Sequence, residues 1–174
     1  MNQQRIRKIV FSAMFCALVY AATWIYVPAP AVGNVNLGDG VLLLCAWVLG
    51  GPWAAVAAAL GATLADLTMG YAIYAPATFV IKALMVTAAI LVGRLLSKLH
   101  MPALIARILS ALCAELVMIA GYFLYEALVL QYGIGAVANI PFNAIQGAFG
   151  MILACVVYAV LARAGISMGN DQSK

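Results

Sequence analysis

Charge is so scarce in this chain that any ionisable residue inside an apolar stretch needs a physical reason. Charged residues make up 8% of the sequence and hydrophobic ones 67%, with a mean hydropathy of +1.10. A water-soluble domain carries about 25% charged residues. The chain therefore reads as an all-α membrane protein, because a helix satisfies its own backbone hydrogen bonds in lipid. At about 20 residues per crossing, 174 residues leave room for about six helices and no second domain. No internal repeat or low-complexity tract is visible.

Apolar periodicity and helix breakers place the crossings at about 9–27, 41–50, 53–69, 75–96, 104–130 and 138–162. The segment Pro28 to Gly40, with its prolines, glycines and asparagines, reads as a loop. Trp24 and Tyr26 suit the aromatic belt at a membrane interface. A cleaved signal peptide is the alternative for the first segment, since Ala29-Pro-Ala31 resembles a processing site, but the apolar run is long for that role. Gly50-Gly51-Pro52 ends one helix and starts the next. If 41–69 is two spans, every Lys and Arg except Lys82 is cytoplasmic, as are both termini. If it is one span, Arg94, Lys98 and Arg107 fall outside, against the rule.

The net charge of +4 comes from those loop cations, and no dense basic face points to nucleic acid. Cys16, Cys45, Cys113 and Cys155 are scattered through apolar segments without metal or redox spacing, and no metal or cofactor is expected. His100 sits at a cytoplasmic loop edge and reads as a solvated residue. No phosphate-binding loop, HExxH or GxSxG motif is present, so the sequence is not expected to be that of an enzyme.

Candidate binding residues gather toward one end. Asp66 and Lys82 flank the turn at Met69-Gly70-Tyr71, each only ~6–9 Å below the same surface, with Tyr71, Tyr74 and Thr78 between them. Glu115, Ile119, Tyr122 and Glu126 share a face of the fifth helix. A carboxylate at mid-membrane is costly unless it meets a partner or a cavity, so Lys82 is expected to pair with Asp66 or Glu115. Such a pair has two readings, helix packing alone or ligand binding. Asn139, Asn143 and Gln146 line one face of the sixth helix, where amides can read a polar heterocycle or simply tie helices together. Small-residue rows at Ala13, Ala17 and Ala21, and at Ala57, Gly61 and Ala65, permit close helix contacts. The second is expected to pack internally; the first could do so too, or form an exposed dock.

The order of Asn36-Leu-Gly-Asp39, Gly51-Pro52, Ala65-Asp-Leu67, Gly70-Tyr71, Tyr74-Ala-Pro-Ala-Thr78 with Lys82, Gly121-Tyr-Phe with Glu126, and Pro141-Phe-Asn143 with Gln146-Gly147 resembles one family. That family is the substrate-binding S components of energy-coupling factor (ECF) vitamin transporters, of the broad riboflavin type, and the resemblance runs from about Ala13 to Gly150. It implies a six-helix protein of the cell membrane that binds a vitamin near the extracellular face. It also implies partners: a transmembrane coupling subunit and two ABC-type ATPases, with the S component toppling in the bilayer to release substrate. Ala13-Met-Phe-Cys-Ala17 matches the family's docking motif. The implied site is walled by the loop after the first helix, with Asn36 and Asp39, and by the outer parts of helices four to six. A wall of acids, amides, tyrosines and one lysine suits a small polar aromatic ring, of the vitamin B6 or hydroxymethylpyrimidine type. A stand-alone secondary transporter is the alternative; a membrane enzyme would need Glu115 or Asp66 as acid or base.

Overall fold

The computed structural model describes residues 3–28 and 34–165; the processing-site look-alike at 29–31 and the polar tail beyond 165 lie outside the described residues. Six helices run back and forth through it: α1 (Gln3–Thr23), α2 (Gly38–Val48), α3 (Gly51–Thr68), α4 (Ala75–Lys98), α5 (Ala103–Leu124) and α6 (Ile140–Arg163). A π-helical turn, Tyr125–Val129, extends α5, and a 3-10 segment, Gly133–Asn139, leads into α6. By length and composition α1, α4, extended α5 and α6 can each cross a membrane, whereas α2 is a short apolar helix. Leu91, Leu116, Phe149, Ile152 and Val160 stand exposed on their surfaces, as lipid contact requires.

Several boundaries differ from the expected spans: α1 begins at Gln3 rather than 9, the regular part of α5 stops at Leu124, and the segment between α1 and α2 is reorganised. A small antiparallel hairpin, β1 (Tyr26–Pro28) with β2 (Asn34–Asn36), takes the last two residues of the expected first span and part of the expected loop. It ends α1 at Thr23 and lets α2 begin at Gly38, earlier than hydropathy suggested. Trp24 and Tyr26 remain exposed, but Tyr26 belongs to the strand. The break between α2 and α3 falls where expected. Gly50 and Gly51 have φ of 60° and 69°, a region that glycine enters without steric penalty, and Pro52 opens α3.

Small residues set the depth of packing. Ala57, Gly61 and Ala65 are buried, and a Cβ at Gly61 would collide with the backbone oxygen of Cys16. The α3 row is thus internal packing against α1. Ala13, Ala17 and Ala21 face the other way and are exposed. Arg5, Arg7, Lys8, Arg94, Lys98, Arg107 and Arg163 all fall at the end where α1 begins and α4 and α6 finish. His100 is exposed in the connection there. At this end Arg107 stacks over Tyr158 at 3.7 Å, and Trp47 donates to Ser110 Oγ at 3.3 Å. The opposite end holds the hairpin.

Candidate functional site

Under the hairpin lies a cavity of about 70 Å³, several times the space one buried water needs. Every helix contributes to its wall. α1 brings Val19 and Thr23, α2 Gly38, Asp39 and Leu42, and α3 Ala62 and Asp66. Tyr71 and Tyr74 come from the α3–α4 turn, Thr78 and Lys82 from α4, Tyr122 and Glu126 from α5 and its π turn, and Asn143 and Gln146 from α6. Asn34 and Asn36 of β2 close the space.

One hydrogen-bonded chain organises the wall. Lys82 Nζ donates to Asp39 Oδ1 at 2.5 Å, and both side chains are almost fully buried. Gln146 Nε2 donates to Asp39 Oδ2 at 2.6 Å, so both carboxylate oxygens are satisfied. The Gln146 carbonyl in turn accepts from the Asn36 backbone N–H at 3.0 Å and from its Nδ2 at 3.2 Å. Asn36 Oδ1 accepts from the Gly38 N–H at 2.9 Å, which fixes the entry into α2. Asp39 sits in the first turn of that helix, where the helix dipole favours a negative charge. Lys82 also lies 5.5 Å from the centre of the Tyr122 ring, within cation–π range.

The expected Lys82 partner is corrected here: the ammonium pairs with Asp39, not with Asp66 or Glu115. The early start of α2 carries Asp39 into the bundle, and helical spacing within α3 and α5 could not reveal that. Asp66 lines the cavity near Thr78 and Lys82 but forms no salt bridge, and its Oδ2 is buried without a hydrogen-bond partner. On the other wall Thr78 and Tyr122 share a hydroxyl contact of 3.0 Å. Tyr74 donates to Glu126 Oε1 at 3.4 Å, and the Tyr125 hydroxyl donates to the Ile73 carbonyl, holding the π turn against the turn before α4.

Two candidates do not line the space. Asn139, at the entry to α6, is buried beside Glu126. Glu115 lies eleven residues before Glu126, about 16 Å along the axis of α5, below the cavity. It is 3% exposed, and neither of its oxygens has a partner. Room for it exists because residue 147 is glycine: a Cβ there would stand 2.9 Å from Glu115 Oε2. An unpaired carboxylate at that depth is costly when charged. Glu115→Gln is therefore expected to leave the fold intact, with stability changed by no more than about 1 kcal/mol. Thermal unfolding in detergent checks this; a large loss would mean that Glu115 supports the Lys82–Asp39 pair as a charge. Thr23, Val19, Asn34 and Leu42 were not anticipated as cavity residues, since nothing separates the ends of their segments from lipid-facing or loop sequence.

The geometry has a counterpart among known proteins. A family model described as the ECF-type riboflavin transporter, S component, matches residues 3–163. The chain belongs to this family of ECF transporter S components. A solved S component of a bacterial ECF transporter has the same fold, with a TM-score of 0.76 at 22% identity, over 94% of this chain and 99% of that one. No curated protein matches. S components are integral membrane proteins that bind substrate for ECF transporters, and theirs is a transporter family rather than an enzyme family.

Proposed function

We propose that this S component captures a small polar aromatic vitamin or precursor, of the vitamin B6 or hydroxymethylpyrimidine type, at the extracellular face. It then delivers the ligand by docking on a coupling subunit driven by two ABC-type ATPases. The observation that carries this reading is a polar, tyrosine-walled cavity at the end of a lipid-facing bundle opposite its basic residues. Basic residues favour the cytoplasmic side, so the cavity opens outward and both termini lie inside. Six segments then cross. α2, with 11 residues, rises only about 17 Å and spans the bilayer together with the hairpin above it.

Size and polarity favour a single ring over a tricyclic one. The space is small beside typical ligand pockets of about 300 Å³ or more, and its wall is rich in carboxylates and amides. Hydrogen bonds from Asn143, with Tyr71, Tyr74 and Tyr122 against the ring, supply orientation, while Asn36 and Gln146 hold the wall in shape through their bonds to each other and to Asp39. Ala13, Ala17 and Ala21 form the dock, since they leave α1 smooth and exposed on the side away from α3.

Asn143→Ala, Gln146→Ala and Tyr122→Ala are each expected to weaken binding by about 1–3 kcal/mol. Calorimetry of the purified variants, after a check that each still unfolds cooperatively, reads this directly. Unchanged affinity in all three would move the site elsewhere and leave the amides as helix ties.

A further inference from the structure

Charge in the cavity wall does not balance. Asp39, Asp66 and Glu126 line the space, and among the described residues Lys82 is the one basic side chain that does. Lys82 is held by Asp39. Asp66 and Glu126, on α3 and the π turn after α5, form no salt bridge: Lys82 lies near enough to act on Asp66 but is bonded to Asp39, and no basic side chain faces Glu126 among the described residues. Each keeps a buried oxygen, Asp66 Oδ2 and Glu126 Oε2, with no hydrogen-bond partner. Glu126 is 3% exposed, so bulk water does not supply the missing donor.

The remaining wall suits the same kind of ligand. Tyr71, Tyr74 and Tyr122 line the cavity, with the Tyr74 and Tyr122 ring centres 6.4 Å apart. Aromatic faces attract cations within about 6 Å, as they do in the cages that bind organic ammonium groups. An anionic ligand would instead meet three carboxylates against one lysine already bonded to Asp39, and like charges at close range disfavour binding.

We propose that the ligand is an organic cation, a nitrogen heterocycle bearing a protonated amine or a permanent positive charge, seated with that charge between Asp66 and Glu126 and its ring against the tyrosines. This rests on the capture reading above and narrows it to the amine-bearing members of those vitamin classes. Phosphorylated forms are excluded.

The test is titration of the full-length protein in detergent with probes that differ in charge. Pyridoxamine and thiamine are the cations, pyridoxine and riboflavin the uncharged probes, and pyridoxal 5′-phosphate and riboflavin 5′-phosphate the anions. At least one cation is expected to bind at least tenfold more tightly than any other probe. Asp66→Asn and Glu126→Gln, which keep side-chain shape, should each cost that cation tenfold or more. Unliganded melting of the two variants separates a lost contact from a lost fold. If a variant does not fold, raised salt should still weaken the cation on the unaltered protein and spare the uncharged probes. An uncharged or anionic probe that binds as tightly as the best cation overturns the charge assignment and leaves vitamin capture standing. A cation indifferent to both variants overturns the assignment as well. Binding of no probe, together with no uptake that depends on a coupling module, overturns the capture reading and the charge assignment with it.

Discussion

Lys82→Met is expected to lower unfolding free energy by about 3–5 kcal/mol, because it strands the Asp39 carboxylate in the bundle. Asp39 is 1% exposed, and Gln146 is its other donor. One amide cannot replace an ammonium 2.5 Å away. The same substitution should abolish ligand binding, since the chain from Lys82 through Asp39 and Gln146 to Asn36 shapes the cavity and secures the hairpin above it. Adding Asp39→Asn to Lys82→Met should recover much of the lost stability, because removing both charges of a buried pair costs far less than removing one. A double-mutant cycle by denaturant unfolding measures the coupling. Coupling below about 1 kcal/mol, the range of solvated ion pairs, would mean that the pair contributes little and that the cavity is organised by other contacts.

The second large effect concerns α1. Ala13→Leu and Ala17→Trp add bulk to a face of α1 that is exposed among the described residues. Folding and ligand affinity should be unaffected. Where a partner helix approaches closely, however, extra side-chain volume has no space to occupy. Co-purification with the coupling module and uptake in cells should therefore fall at least tenfold. Parallel loss of ligand binding would mean that bulk on this face distorts the bundle, and retention of full uptake would place the dock elsewhere.

The sequence already contained most of the architecture, because lipid imposes strong rules on it. Apolar length and Gly50-Gly51-Pro52 were enough to expect six helices, of which α1, α4, extended α5 and α6 are long and apolar enough to cross a membrane. The exposed row on α1 and the buried row on α3 have similar spacing, so only packing distinguishes them. The site was less legible. Tyr122, Asn143 and Gln146 were visible as polar residues on apolar faces near one end. Asp39 appeared as a loop residue, since six residues of hairpin pairing outside any hydrophobic pattern decide where α2 begins. Glu115 attracted attention because a mid-helix carboxylate is costly, yet periodicity reports a face and not a depth, and the cavity ends above it. Asp66 was seen correctly as a charge near the mouth but assigned to the wrong partner. Which acid receives the buried Lys82 depends on contacts between helices far apart in sequence.

Capture by this chain and energy from another is the central claim, and uptake measured with and without the coupling module tests it most directly. Proteoliposomes would hold either the chain alone or the chain with a coupling subunit and two ABC-type ATPases, with the tightest-binding labelled vitamin outside. The chain alone should bind label without accumulating it, and accumulation should require both the module and ATP. Accumulation by the chain alone would contradict the account and make the protein a self-sufficient secondary transporter.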